Sequence, residues 1–354
     1  MLNNNFYFGL EAEFLIVDSE TFNPLWHPQL SFEKLNHILE AATDRFNGNL
    51  EGLEIEKPHT KLMPYAVEGY AIVDQDFFPT DLLPKGIEIR TPVRHSIEDC
   101  LVSLHELHTN LQIELKNYGL LASSLSHHPT ESKFYGPQNK RRHDYWQWSM
   151  EVMTTYGPDF NISLPQSLRQ SIDPDILDQK VNYYGPSMVA FSLASPFLSG
   201  EPWKIRDSIG KSVRTYRRSI LAPLIELHPE ENGRMEFKGF DMPWHREDFH
   251  AYFLLWLTLL LDTQLTGRAS KSSRIFDLGQ VARLGWHAET IQERADEILN
   301  SAFHVLPQWG FETKPLFQLR ERLLQQMTPA DLLIQDYYVF GNLRESLKRL
   351  TCLN

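Results

Sequence analysis

The sequence has little cysteine. Cys100 and Cys352 are the only two among 354 residues, and no Cys-x-x-Cys pair occurs. That excludes a disulfide framework and a structural zinc site, and it fits a reducing, cytoplasmic setting. Long hydrophobic runs are missing as well. The most apolar stretch, Tyr252 to Leu261, is too short to span a bilayer and is expected to form a buried helix. There is no excess of positive charge: 34 Lys and Arg against 46 Asp and Glu leave a net charge of −12. Such a surface disfavours nucleic acid and anionic membranes as partners. The first residues, Met1-Leu2-Asn3-Asn4-Asn5, lack the basic and apolar regions of a signal peptide. No Gly-rich loop follows an expected strand, so neither a dinucleotide-binding fold nor a P-loop is supported. No Ser–His–Asp or Cys–His arrangement points to a side-chain nucleophile. No repeat, low-complexity tract or linker divides the chain, so a single domain over residues 1–354 is expected. Its hydrophobic content, 42%, is ordinary for a globular protein.

What is present begins near the start, at Phe8-Gly9-Leu10-Glu11-Ala12-Glu13-Phe14-Leu15-Ile16-Val17-Asp18. β-Branched and aromatic residues with a polar stop read as a strand. Side chains alternate across a strand, so Glu11 and Glu13 share a face. Two carboxylates there resist burial unless something positive sits between them, and a divalent cation is the usual answer for an oxygen-only cluster. The plainer reading is a solvated acidic face. The same pattern recurs downstream. Tyr65 to Asp74 reads as a strand. Pro79 and Pro84 bracket a loop containing Asp81, and Gly86-Ile87-Glu88-Ile89-Arg90-Thr91 is a further strand stopped by Pro92. Gly157 to Pro165 is expected as a strand with Asp159, Asn161 and Ser163 on one side. Gly233 to Asp241 is another, with Arg234, Glu236 and Lys238 on one face.

Helices are expected between these strands. One covers about Phe32 to Ala42. The clearest starts at Ser96, with Asp99 three residues on as in a capping box, an apolar stripe Ile97, Leu101, Leu104, Leu107, Leu111 and Leu115, and Gly119 at its end. Gln138 to Thr155, Pro174 to Tyr184 and Ser187 to Ala194 are read as helical, and the chain from about residue 245 is mainly helical to its end. Leu50 to Lys57, with Glu51, Glu54 and Glu56, reads as a strand or an acidic loop. Alternating polar and apolar positions fit an antiparallel sheet with one polar face. The fold class is therefore α+β: a curved antiparallel sheet of about six strands, with helices on its apolar face and a cavity on its polar one.

That face would collect Glu11, Glu13, Glu88, Asp159 and Glu236 with Arg90, Asn161, Arg234 and Lys238; Asp81 lies just before one of the strands. Several carboxylates with a few cations suit Mg²⁺ or Mn²⁺ carrying a polyphosphate.

Six motifs in order carry a resemblance: Gly9-x-Glu11-x-Glu13, Gly86-Ile87-Glu88-Ile89-Arg90-Thr91-Pro92, Phe160-Asn161-Ile162-Ser163-Leu164-Pro165, Ala194-Ser195-Pro196, Ser212-Val213-Arg214 and Arg234-Met235-Glu236-Phe237-Lys238. Over residues 6–241 the chain resembles the glutamate–cysteine ligases and related carboxylate–amine ligases, whose fold is similar to glutamine synthetase. The resemblance implies ATP as co-substrate, two or three Mg²⁺ or Mn²⁺ ions, and an acyl-phosphate intermediate attacked by an amine, with glutamate and cysteine as default substrates. It implies metal ligation by Glu11, Glu13, Asp81, Glu88 and Glu236. Asp159 stands where the family often has histidine, and its carboxylate can still hold a metal. Lys238 stands where the family has arginine, keeping the charge but losing the bidentate fork. Both departures bear on the amine more than on the reaction type. Lys238 and Arg214 are the expected stabilisers of the transferring phosphoryl group, and Arg90 the expected holder of a substrate carboxylate.

Plainer readings accompany several features. His127-His128 before Pro129 reads as a polar turn. The basic run from Lys204 to Arg218 reads equally as a grip on ATP phosphates or as a solvated helix face, and only Arg214 has motif support. Trp146 and Trp148 read as packing. Two rival functions remain open: a guanidino kinase-like phosphotransferase, which releases no free phosphate, and a non-catalytic nucleotide-binding protein that kept the fold.

Overall fold

The computed structural model describes residues 5–138 and 144–353. Its main elements in chain order are β1 (Tyr7–Asp18), α1 (Phe32–Thr43), β2 (Tyr65–Val73), β3 (Pro79–Arg90), α2 (Ile97–Asn117), β4 (Leu120–Ser123), β5 (Pro158–Ser163), α3 (Pro174–Ala190), α4 (Val213–Arg218), β6 (Ile225–His228), β7 (Arg234–Phe237) and α5 (Arg246–Leu261). Helices at Lys271–Leu284, Ile291–Val305, Phe317–Gln325, Pro329–Phe340 and Arg344–Arg349 follow. Six strands form one antiparallel path in the order β6-β7-β5-β1-β3-β2. The second half of β1 also pairs with β4 and with Pro24–Leu25.

The period of two in β1 decides what the sheet faces. Phe8, Leu10, Ala12 and Phe14 are buried, while Tyr7, Gly9, Glu11 and Glu13 point to the other side and are only half-buried. Ile87, Ile89, Phe160, Ile162, Met235 and Phe237 join the apolar side. Against it lies α5, buried from Ala251 through Leu259; the rings of Phe160 and Phe253 meet edge to face at 4.7 Å. Each such side chain taken from water contributes about 1.5–3 kcal/mol. α2 is built as its sequence expects: Ser96 accepts the Asp99 N–H at 3.0 Å and donates to Asp99 Oδ2 at 2.8 Å. Its apolar stripe is fully buried, and Gly119 takes a φ of +72° after its end. With helices on one side only, the polar face stays open.

Several elements differ from expectation. Pro79 does not open a loop around Asp81: β3 is one strand from Pro79 to Arg90, paired with β2 throughout. Prolines are tolerated there because the register breaks beside them. Glu68 pairs with Gly86 and Gly69 with Pro84, which leaves Lys85 as the extra residue of a bulge. Pro174 to Ala190 is one helix with Pro186 inside it. Within the stretch read as helical from Gln138 to Thr155, the helix is Trp146–Val152, and residues 139–143 lie outside the described residues. His127 and His128 are not a solvated turn. Both are buried, and burial pulls His127 well below the ordinary range and His128 down to about 3, so both stay neutral. Among the described residues, no helix is long and apolar enough to cross a membrane.

Candidate active site

Register brings the acidic strands together. Glu11 on β1 lies opposite Asp159 on β5 and Arg90 on β3; Glu13 lies opposite Glu88; Asn161 on β5 lies opposite Glu236 on β7. Since paired residues share a face, these side chains form one patch. Glu11, Asp159 and Glu236 each offer a carboxylate oxygen within 4.8 Å of the others. Burial pushes Glu11 up to about 8, Glu236 and Asp159 push in the same direction, and Lys238 resists. Burial pushes Asp159 up to about 7 against the pull of Lys238. Glu88 rises well above the carboxylate range through burial and then through Glu68, Glu11 and Glu13. Buried carboxylates that repel one another in this way favour a bound cation, and hard oxygens clustered within 4.8 Å suit a divalent one.

Glu13 behaves differently. Burial works against its charge, but the Lys85 ammonium outweighs it and holds the group below its ordinary value. Lys85 Nζ donates to Glu13 Oε1 and to the Thr155 carbonyl, both at 2.8 Å, and stands 3.8 Å from Glu68. The Gly157 N–H donates to Glu13 Oε2 at 2.9 Å. By strict alternation Lys85 would join Ile87 and Ile89 on the apolar side; the bulge returns it to the acidic one. Glu68 is pushed up to about 7 by burial and then by Glu13.

The cations are shared among these anions. Lys238 Nζ sits 3.5 Å from Asp159, 3.2 Å from Glu226 and 3.3 Å from Glu236. Burial opposes its charge, yet these three carboxylates outweigh it and hold Lys238 above its usual value. Arg234 donates to Asn161 Oδ1 at 2.7 Å, to Glu236 Oε2 at 3.3 Å and to Glu231 Oε2 at 2.8 Å. Arg90 is buried. It donates to the Met63 carbonyl at 2.9 Å, and its Nε meets no partner. A cavity of about 600 Å³ opens over Arg90, Glu11, Asn161, Ser163 and Arg234, with Glu51 and Glu54 on its edge.

Two expected residues are not in the cluster. Asp81 is exposed, pairs with Ile72 and accepts its neighbour's Leu82 N–H at 2.7 Å. Seven residues of strand put it on the order of 20 Å from Glu88. Arg214 is buried in the wall. It donates to the carbonyls of Gly239 at 3.2 Å and Lys238 at 3.1 Å, and lies 3.7 Å from Asp241. Burial and then Arg218 pull it down to about 10. A Cβ on Gly157 would collide with its guanidinium, which explains the glycine there. Asp241 in turn accepts from the Ala194 N–H at 2.7 Å, Ser195 Oγ at 3.0 Å and Ser212 Oγ at 3.1 Å. The Ala194-Ser195-Pro196 and Ser212-Val213-Arg214 motifs therefore converge on one buried carboxylate, which locks Arg214 behind Lys238.

Sequence reasoning missed Glu68, Lys85, Glu226 and His228. Glu68 was legible, since it alternates with Ala66 inside an expected strand. Glu226 and His228 alternate in β6, but that strand is only four residues long. His228 Nε2 lies 3.3 Å from Glu236 Oε2, and Glu226, His228 and Glu236 form a second group of potential ligands within 4.8 Å.

The profile of the family described as glutamate-cysteine ligase family 2 matches residues 7–217, more than half of the chain. Among curated proteins, none matches significantly. Two solved structures share the fold. One is a bifunctional glutathione synthetase from Pasteurella multocida, with TM-score 0.64 and 14% identity over 98% of this chain and 52% of that one. The other is a glutamate–cysteine ligase from Francisella tularensis in complex with AMP, with TM-score 0.64 and 12% identity over 98% of this chain and 88% of that one. The chain thus spans about half the length of the first.

Proposed function

The chain belongs to glutamate-cysteine ligase family 2, and from that premise we propose that its acidic sheet face joins glutamate to an amine, cysteine by default, through an acyl phosphate made with ATP. Membership supports reading it as an ATP-dependent carboxylate–amine ligase. The observation that carries the finer reading is the convergence of Glu11, Asp159 and Glu236 from three strands, with their oxygens within 4.8 Å of one another.

A set of hard oxygens fits Mg²⁺ or Mn²⁺. Glu11, Asp159 and Glu236 would hold the ions, two or three in all, with Glu88 and Glu13 beside them. Ions held there would supply positive charge to a polyphosphate. The chain's own side chains supply the rest. Lys238, held among Asp159, Glu226 and Glu236, supplies a fixed positive charge for phosphate oxygens on this face. Arg214 keeps the Lys238 backbone in place. Arg90, with its Nε free in the cavity wall, takes a substrate carboxylate, and Asn161 and Arg234 line the same cavity. Most of the rate enhancement comes from positioning and fixed charge, with no side-chain nucleophile.

The test is phosphate release from ATP and Mg²⁺ with glutamate, across a panel of amines including cysteine. Amine-dependent release of phosphate and ADP is expected. Tight ATP binding with no release under any amine overturns the ligase reading with this donor. Transfer of the phosphoryl group to a guanidino compound without free phosphate would make the chain a kinase.

The site also predicts a pH dependence. Glu11, Glu68, Asp159 and Glu88 all hold their protons more tightly folded than unfolded. Their contribution to stability is therefore present below the ordinary carboxylate pKa and lost as pH rises through about 7 to 8. A divalent ion binds the deprotonated form and reverses that loss. The rise in thermal midpoint on adding Mn²⁺, against EDTA, should be larger at about pH 8 than at about pH 6. A shift equal at both, or none, removes these carboxylates as the ion's ligands.

A further inference from the structure

Helix α4 carries three arginines, and two of them are committed. Arg214 is spent on the Lys238 and Gly239 carbonyls. Arg217 donates to His127 Nε2 at 2.9 Å, to Thr154 Oγ1 at 2.7 Å and to the Glu151 carbonyl at 3.2 Å. Among the described residues, the side chain of Arg218 makes no hydrogen bond and no ion pair. It is half-buried all the same. Residues four apart on a helix share a face, so Arg218 extends from the side that Arg214 turns to the sheet. It shares a narrow crevice with Arg214, Lys238 and Gly239.

A guanidinium beside an acidic cluster, with none of its donors spent, is poised for an anion brought in from outside. The position selects which anion. Arg90 and Arg234 stand over the cavity at the Gly9–Glu11 end of β1, with Asn161 and Ser163. Arg218 sits instead beside Lys238, whose ammonium stands 3.5 Å from Asp159. The site thus has two cationic ends with the carboxylates between them, which suits two anionic substrates meeting over the metals.

On the ligase reading above, we infer that Arg218 is the guanidinium that grips the terminal phosphate of the nucleoside triphosphate, the role the sequence motif assigns to Arg214. In that step a carboxylate oxygen bonds to the γ-phosphorus as the bond to the β,γ-bridging oxygen breaks, and the electron pair leaves on ADP. No proton moves. Arg218 contacts the non-bridging oxygens and stabilises their charge, and its planar fork suits them better than an ammonium does.

The test is calorimetric binding of ATP, ADP and AMP with Mg²⁺ to the full chain, alongside turnover with the best amine, for wild type, R218K and R218A. In R218A, ATP should bind at least about tenfold more weakly while ADP and AMP bind as in wild type, and kcat should fall about a hundredfold. R218K, with charge but no fork, should fall between. Thermal midpoints should match wild type, because no protein group loses a partner. If wild type binds ATP and R218A keeps both the preference for ATP over ADP and its kcat, the inference is overturned and the ligase reading stands. If wild type binds no ATP, both fall.

Discussion

Replacing Glu236 by glutamine should remove nearly all turnover, by a factor of about a thousand or more in kcat, and leave the chain folded. Glu236 is 3% exposed and belongs to two groups of potential metal ligands, the one with Glu11 and Asp159 and the one with Glu226 and His228. Among the described residues it alone joins the Glu11–Asp159 group to another. Glutamine keeps the volume and one carbonyl oxygen, so packing against β5 and β6 is preserved. The two cations it faces are not abandoned: Arg234 keeps Glu231 and Asn161, and Lys238 keeps Asp159 and Glu226. Repulsion on Glu11 and Asp159 falls at the same time, so the thermal midpoint should move by only a few degrees. What is lost is a charge that a metal needs. The check is phosphate release together with the Mn²⁺-induced rise in midpoint. Turnover within tenfold of wild type would show that this sheet face is not the metal site.

The carboxylate set was legible because it depends on one rule. Period two put Glu11 with Glu13, Glu88 with Arg90, and Glu236 with Lys238, each pair on its own strand. The ordered motifs suggested that the strands meet. The strand order β6-β7-β5-β1-β3-β2 was not legible, since alternation says which side a residue faces but not which strand lies beside it. Three particular features lay outside the reach of that rule. Lys85 sits on the wrong parity, and only a bulge brings it to Glu13. Asp81 looked like a loop residue between two prolines, but the strand continues through it and carries it away from the cluster. Arg214 had motif support, yet a motif does not reveal that a guanidinium's donors are taken by carbonyls and a buried aspartate; that needed the fold. The acidic segment Leu50–Lys57 was ambiguous for a simpler reason. It has neither period, and it is a loop whose Glu51 and Glu54 reach the cavity edge only because Val93 donates its N–H to the Glu51 carbonyl at 3.0 Å.

Lys85 carries the largest expected effect on stability. Its ammonium is almost wholly enclosed and is the positive charge nearest to Glu13, with Glu68 and the Thr155 carbonyl sharing it and the Tyr156 ring 5.1 Å away. Lys85→Met fills the space but strands two carboxylates and a carbonyl. Breaking one half of a buried pair costs about 3–5 kcal/mol, or roughly 4–7 °C in midpoint for a chain of this size. The pH dependence should change sign as well. In wild type, Glu13 is held below its unfolded value, so its contribution is present above the ordinary carboxylate pKa and lost as pH falls through the folded value. Without Lys85, burial is left as the dominant influence, the folded value rises above the unfolded one, and stability is regained as pH falls. Lys85→Met should therefore be closest to wild type at about pH 5 and furthest from it at about pH 8. Adding Glu13→Gln to Lys85→Met should recover about half of the loss or more, because the stranded charge is gone; a double-mutant cycle measures that coupling. If the single variant melts like wild type at every pH, Lys85 is not what keeps Glu13 ionised. The acidic face would then have to be stabilised by a bound cation even in the resting protein, and EDTA alone should lower the wild-type midpoint by a comparable amount.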